Sequence, residues 1–248
     1  MIDFIYVKFI TSAPSFIKRK VNIFRMEMKV NIKDSTSGTE ADLKLVEYHD
    51  FFYTPKNSKV TAKNFGEKSA LLNSYFFEYL RGYNIPIAFV KKSHKNSLHL
   101  LNFSEFAFRV KILNQADTRT AKIFSIKPGS PLELPIQEYH YGDSKESVIT
   151  ESHIISFNLC TYDDLKIINR LCSKVNAIVK SFFERRSVSL LELTCTFGKF
   201  EGKIYLVGDF SPSSIKVSNA EKLDPFKIET FAQMKKYADY LVKLTNGD

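Results

Sequence analysis

No stretch of the 248-residue chain approaches the roughly 18 uninterrupted apolar residues that a membrane-spanning helix requires, so no span is expected. Cysteine is scarce. Cys160, Cys172 and Cys195 sit in apolar runs without CxxC spacing. This excludes a disulfide-stapled scaffold and a zinc ribbon, and points to buried, reduced thiols in a cytoplasmic protein. Internal repeats and low-complexity runs are absent, as are a basic stripe interleaved with aromatics and any nucleic-acid-binding motif. His94 and His99 have no third ligand near them in sequence, and read as turn and strand residues rather than a metal pair.

What is present is an apolar content of 44%, with 22 Phe and 12 Tyr, enough for one large domain or two small ones around a substantial core. The net charge of +9 suits phosphorylated small molecules, nucleic acid or an anionic membrane. A solvated, lysine-rich surface is the simpler account and the one favoured.

Three helices are predicted. One covers residues 64–80, with Leu72, Tyr75, Phe76, Tyr79 and Leu80 on one face and Gly82 as its stop. The second covers 162–186, capped by Thr161, with a stripe from Leu165 to Phe183. The third lies near 226–244, carrying Ile228, Phe231, Met234, Ala238 and Leu241. Strands are expected around 43–48, as a pair about the Ser93–Ser97 turn, and as a hairpin over 188–208. In that hairpin Gly198 to Gly202 are read as the turn. The polar loop Gly208-Asp209-Phe210-Ser211-Pro212-Ser213-Ser214 follows at the strand end.

That last region, with FFEYLRGYNIPIAFV (76–90) and VKILNQADTRTAKIFSIKPGSPL (110–132), resembles the SAICAR synthetases, purine-pathway ligases. The resemblance begins at Ile23 and runs to the C-terminal part of the chain. It implies an α+β, SAICAR-synthetase-like two-lobed fold, with a small antiparallel-sheet N-terminal lobe and a larger sheet-plus-helices lobe. Residues 1–22 are then an N-terminal extension, 23–90 the small ATP-lobe-like region and 91–248 the larger substrate lobe. Met26 and Met28 are alternative starts.

The same resemblance implies ATP and Mg²⁺ as cofactors, a small-molecule nucleotide as substrate, and the joining of aspartate to a carboxylated aminoimidazole ribonucleotide. The family's phosphate-loop glycine and first lysine fall on Met26 and Glu27, which leaves Lys29 of its basic pair. Its strand motif of Asp, Lys and Glu falls on Glu192, Thr194 and Thr196. In the loop, Asp209 and Ser211 are kept, and the arginine that follows becomes Lys216. Around the substrate phosphate, Asn114 and Lys122 are kept, the arginine becomes Leu113 and the serine becomes Arg119. Asp143 and Glu146 match two further acids.

By resemblance, Glu192 and Asp209 are the catalytic and metal-holding candidates, with Lys29 beside them for ATP. Asn114, Arg119, Lys122, Asp143, Ser211 and Lys216 are the substrate candidates. From the residues alone, Asp209 has a second reading, an Asp-x-Ser turn in which its carboxylate accepts the Ser211 N–H. The substitutions point to weak or lost ligase activity. The alternatives are a catalytically inactive relative that binds a nucleotide or a partner and, least supported, a basic nucleic-acid binder. A homo-oligomer is left open.

Overall fold

The computed structural model describes residues 28–31 (backbone only), 42–142, 147–218 and 223–246. The expected extension over 1–22 lies outside these residues. A first, four-stranded antiparallel sheet has the order β1-β2-β6-β5, built from β1 (Met28–Asn31), β2 (Leu43–Tyr48), β5 (Phe89–His94) and β6 (Ser97–Leu101). A small hairpin, β3 (Phe51–Tyr53) with β4 (Lys59–Thr61), follows β2. The first sheet therefore runs to Leu101, past the division expected at residue 90.

Helix α1 (Phe65–Arg81) covers this sheet because Leu72, Phe76, Phe77 and Leu80 fall on one stripe and are fully buried. Its N-cap, Asn64, makes no side-chain cap bond. Asp50, in the turn after β2, accepts the Gly66 N–H at 2.9 Å instead, satisfying one of the orphan donors of the first turn.

The second sheet follows the order β10-β9-β8-β11-β12. Its strands are β8 (Arg109–Gln115), β9 (Pro131–His140), β10 (Val148–Ile149), β11 (Leu190–Phe200) and β12 (Lys203–Gly208). Strand β11 is its spine. One edge pairs with β8 and then β7 (Ser104–Glu105), and the other with β13 (Ile215–Val217) and then β12. Two short helices interrupt the path, α2 (Thr118–Phe124) and α3 (Glu151–Ser156). The long helix α4 (Tyr162–Glu184) packs on β8, β11 and β12 through the expected stripe, including Ile168, Cys172, Val175, Val179 and Phe182. The two lobes share backbone hydrogen bonds: Leu206 N–H to Pro86 O at 2.9 Å, and Ala88 N–H to Leu206 O at 3.0 Å.

Two expectations are corrected. The hairpin turn is Glu201-Gly202 alone, with φ of 47° and 76°, the paired positive values that let a two-residue turn match strand twist. Gly198 instead lies within β11, where a Cβ would come within 2.3 Å of the Phe103 ring. The closing helix, α5 (Phe231–Thr245), begins later than expected because Thr230 and Gln233 form a capping box. Among the described residues, no helix is long and apolar enough to cross a membrane.

Gly66 gives a test in which two effects oppose each other. Alanine favours a helix over glycine by about 1 kcal/mol. A Cβ at residue 66 would, however, lie 2.2 Å from the Tyr48 carbonyl oxygen, a backbone atom that cannot step aside. Gly66→Ala is expected to lower stability by about 1–3 kcal/mol in urea unfolding, as overpacking does. A gain in stability would show that the close approach is not tight.

Candidate active site

A cavity of about 260 Å³ is lined from both lobes. Glu192, Thr194 and Thr196 line it from β11, two residues apart and therefore on one face. The same alternation brings Arg109 and Lys111 from β8. The register sets Lys111 opposite Thr194 and Leu113 opposite Glu192. Tyr48 and Tyr53 line it from the first lobe, Glu105 from β7, and Asp209, Ser213 and Ser214 from the loop after β12.

Asp209 is held on every side. Its Oδ1 accepts from Asn73 Nδ2 at 3.0 Å and from the Ser211 N–H at 2.9 Å. Its Oδ2 accepts from the Ser211 hydroxyl at 2.5 Å and the Ser214 hydroxyl at 2.7 Å. The Asp-x-Ser turn is thus present, on an acid that also faces the cavity. Glu192 is nearly buried, with Lys111 Nζ 3.7 Å from its Oε2. Thr196 Oγ1 is buried and has no hydrogen-bond partner among the described residues, an orphan polar atom beside the cavity.

A second cavity, of about 440 Å³, shares Glu192 with the first. Leu113, Asp117, Asp224 and Lys227 also line it, and Lys227 is paired with Asp224 at 3.0 Å.

The remaining candidates are dispersed. Asn114 is buried and exchanges two 2.9 Å hydrogen bonds with Asn176 of α4. Arg119 is bound to Glu138, and Lys122 is exposed in the last turn of α2. These three line neither cavity. Ser211 is fully buried on Asp209. Lys216 pairs in register with Glu192 across β13, its ammonium 3.4 Å from Pro212 O. Lys29 lies on β1 opposite Glu47, and its side chain is outside the described residues, as are Asp143 and Glu146. Of the candidates, Glu192 and Asp209 line the first cavity, with Ser211 buried against Asp209 and Lys216 beside Glu192 on β13.

Arg109, Lys111 and Asn73 are not among the residues that the family resemblance singles out. The first two announce themselves as basic residues at period two in a strand. Asn73 does so as a polar residue within a largely apolar helix face.

The SAICAR synthetase family profile matches residues 41–237. The chain belongs to the SAICAR synthetase family. The phosphoribosylaminoimidazole-succinocarboxamide synthase of Clostridium kluyveri is 28% identical over 193 residues, 75% of this chain and 81% of that one. The enzyme of the same name from Clostridium perfringens is 25% identical over 236 residues, 91% of this chain and 100% of its own. Among solved structures, a SAICAR synthetase (Type-2) in complex with ADP superposes with a TM-score of 0.78 at 21% identity, covering 90% of this chain and 96% of that chain. The Type-1 structure from Pyrococcus horikoshii OT3 gives 0.76 at 21%, covering 89% and 98%. The fold is thus the two-lobed α+β architecture of the SAICAR synthetases.

Next to the cavity face, on β9, this family member carries a charged cluster. Glu138 is bound by Arg119 and lies 3.2 Å from His140 Nε2. Burial pushes the Glu138 carboxyl up, but the His140 hydrogen bond and the Arg119 and His140 charges outweigh it and hold the group below its ordinary value of 4.5. A carboxyl depressed in the folded state contributes stability that is fully present above its unfolded value and is lost as pH falls through its folded value. Glu138→Gln should therefore be less stable than the parent at neutral pH. Thermal melts from pH 7 to about pH 3 should show the gap closing below pH 4.5. A gap independent of pH would mean that the charge of Glu138 is not what the fold uses.

Proposed function

We propose that the chain is a SAICAR-synthetase-type ligase, acting in the cytoplasm, that uses ATP to join aspartate to a carboxylated aminoimidazole ribonucleotide in purine biosynthesis. The observation that carries this reading is the convergence of Glu192 and Asp209 on one cavity between the lobes of a SAICAR synthetase fold. Phosphoryl transfer depends on positioning and on neutralising the charge of the phosphates.

The residues fit a nucleotide-borne Mg²⁺ better than a dedicated metal cage. Among the described residues no group of three His, Cys, Asp or Glu could hold a metal. Mg²⁺, however, commonly takes one or two carboxylates and completes its shell with phosphate oxygens and water. Glu192 and Asp209 are the pair that would hold it. Bound there, the ion would screen the triphosphate and polarise the phosphoryl group under attack. The unpartnered Thr196 hydroxyl is a donor for a ligand oxygen.

A second reading, a nucleotide-binding relative without ligase activity, draws support from the second cavity. Leu113 stands there in place of the family's phosphate arginine, and Arg119 is engaged by Glu138. Among the described lining residues, Asp117, Glu192 and Asp224 face a single lysine, Lys227.

Calorimetric titration with ATP, with and without Mg²⁺, followed by an assay for ADP release in the presence of aspartate and the ribonucleotide, tests both readings. Mg²⁺-dependent binding with substrate-dependent ADP release supports the ligase. Binding without release selects the second reading, and absence of binding overturns both. Asp209→Asn keeps the shape and the Asn73 contact on Oδ1, and should weaken Mg²⁺-dependent ATP binding about tenfold, the worth of a charge-assisted contact. Affinities equal to the parent's at every Mg²⁺ concentration would leave Asp209 with its turn-forming role alone.

A further inference from the structure

We propose that Lys111 grips the phosphates of a nucleotide in the first cavity, supplying from β8 a cation that β11 does not present there, its Lys199 being bound to Asp164. The inference rests on the nucleotide-binding reading above. The register places Lys111 directly opposite Thr194, and both line the cavity. Side chains of such cross-strand partners start about 5 Å apart on the same face, so a lysine on either strand serves the same space.

Its surroundings leave the ammonium available. On the β9 side its register partner is Glu138, which is already held by Arg119 and His140. On the β11 side Glu192 lies at 3.7 Å, beyond hydrogen-bonding range, so the ion pair is loose and the three ammonium donors are not committed to it. The Lys111 side chain keeps 29% of its exposure, against 11% for Glu192. The wall needs this charge. Among the described lining residues, Glu105, Glu192 and Asp209 face the same space, where Arg109 is the other cation. Without Lys111, the described lining would set three carboxylates and one guanidinium before a polyphosphate.

The test is a strand swap. ATP with Mg²⁺, and inorganic tripolyphosphate, are titrated into the wild type, into Lys111→Thr, and into the double variant Lys111→Thr/Thr194→Lys. Lys111→Thr should lose about tenfold or more in affinity for both ligands. The double variant, with the lysine returned to β11, should recover most of that loss, which a merely structural role for Lys111 would not produce. Unaltered binding in Lys111→Thr overturns the proposal. So does a loss that the double variant fails to restore while its melting temperature matches the parent's. A wild type that binds tripolyphosphate in a Lys111-dependent way, but not ATP, removes both nucleotide readings and overturns the nucleotide as ligand, leaving Lys111 a grip for free polyphosphate. Failure to bind either ligand removes the proposal as well.

Discussion

The geometry of the candidate site depends on one buried amide. Asn73, on the helix of the first lobe, donates to Ser69 O at 2.9 Å and to Asp209 Oδ1 at 3.0 Å, while its own Oδ1 accepts the Phe210 N–H at 2.9 Å. Two of these hydrogen bonds, made by a fully buried side chain, tie α1 to the loop that leaves β12, and the third stays within α1. An unmatched buried amide costs about 1–3 kcal/mol, so the loop is held wherever that amide points. Phe210 reinforces the connection by stacking on Phe76 at 5.2 Å and meeting Phe77 edge-on at 5.6 Å. The acid of the larger lobe is thus positioned by the smaller one.

Strand β11 does the complementary task. It carries neighbours on both edges along its length, which fixes its register from two sides. Glu192 sits where β8, β11 and β13 run side by side and where the two cavities meet. A carboxylate there faces both cavities from the middle of a strand paired on either edge.

Much of this arrangement is written in local patterns. The α4 stripe and its Thr161 cap, the α1 stripe and the alternation of β11 and β12 all follow from periodicity, because burial on one face leaves its mark every 3.6 or every two residues. Gly198 misleads because a glycine beside a turn looks like part of it, and its true reason, the ring of Phe103, lies far off in sequence. Helices α2 and α3 are too short to show a period. In the site, Glu192 and Asp209 are legible from the family resemblance. The engagement of Asn114 by Asn176 and of Arg119 by Glu138 is not, since each partner is a polar residue distant in the chain whose pairing only the fold reveals. Lys111 escapes notice for a related reason: its significance comes from the residue across the ladder.

The alternation along β11 separates two kinds of inheritance. Leu193, Cys195 and Phe197 face the packed interior, while Glu192, Thr194 and Thr196 face the cavity. An exchange on the cavity side barely disturbs the packing on the other, so the chemistry of this strand is free to drift while the architecture persists. A lineage can keep the same scaffold through gain, relocation or loss of catalytic groups, and fold likeness within such a lineage outlasts likeness of reaction.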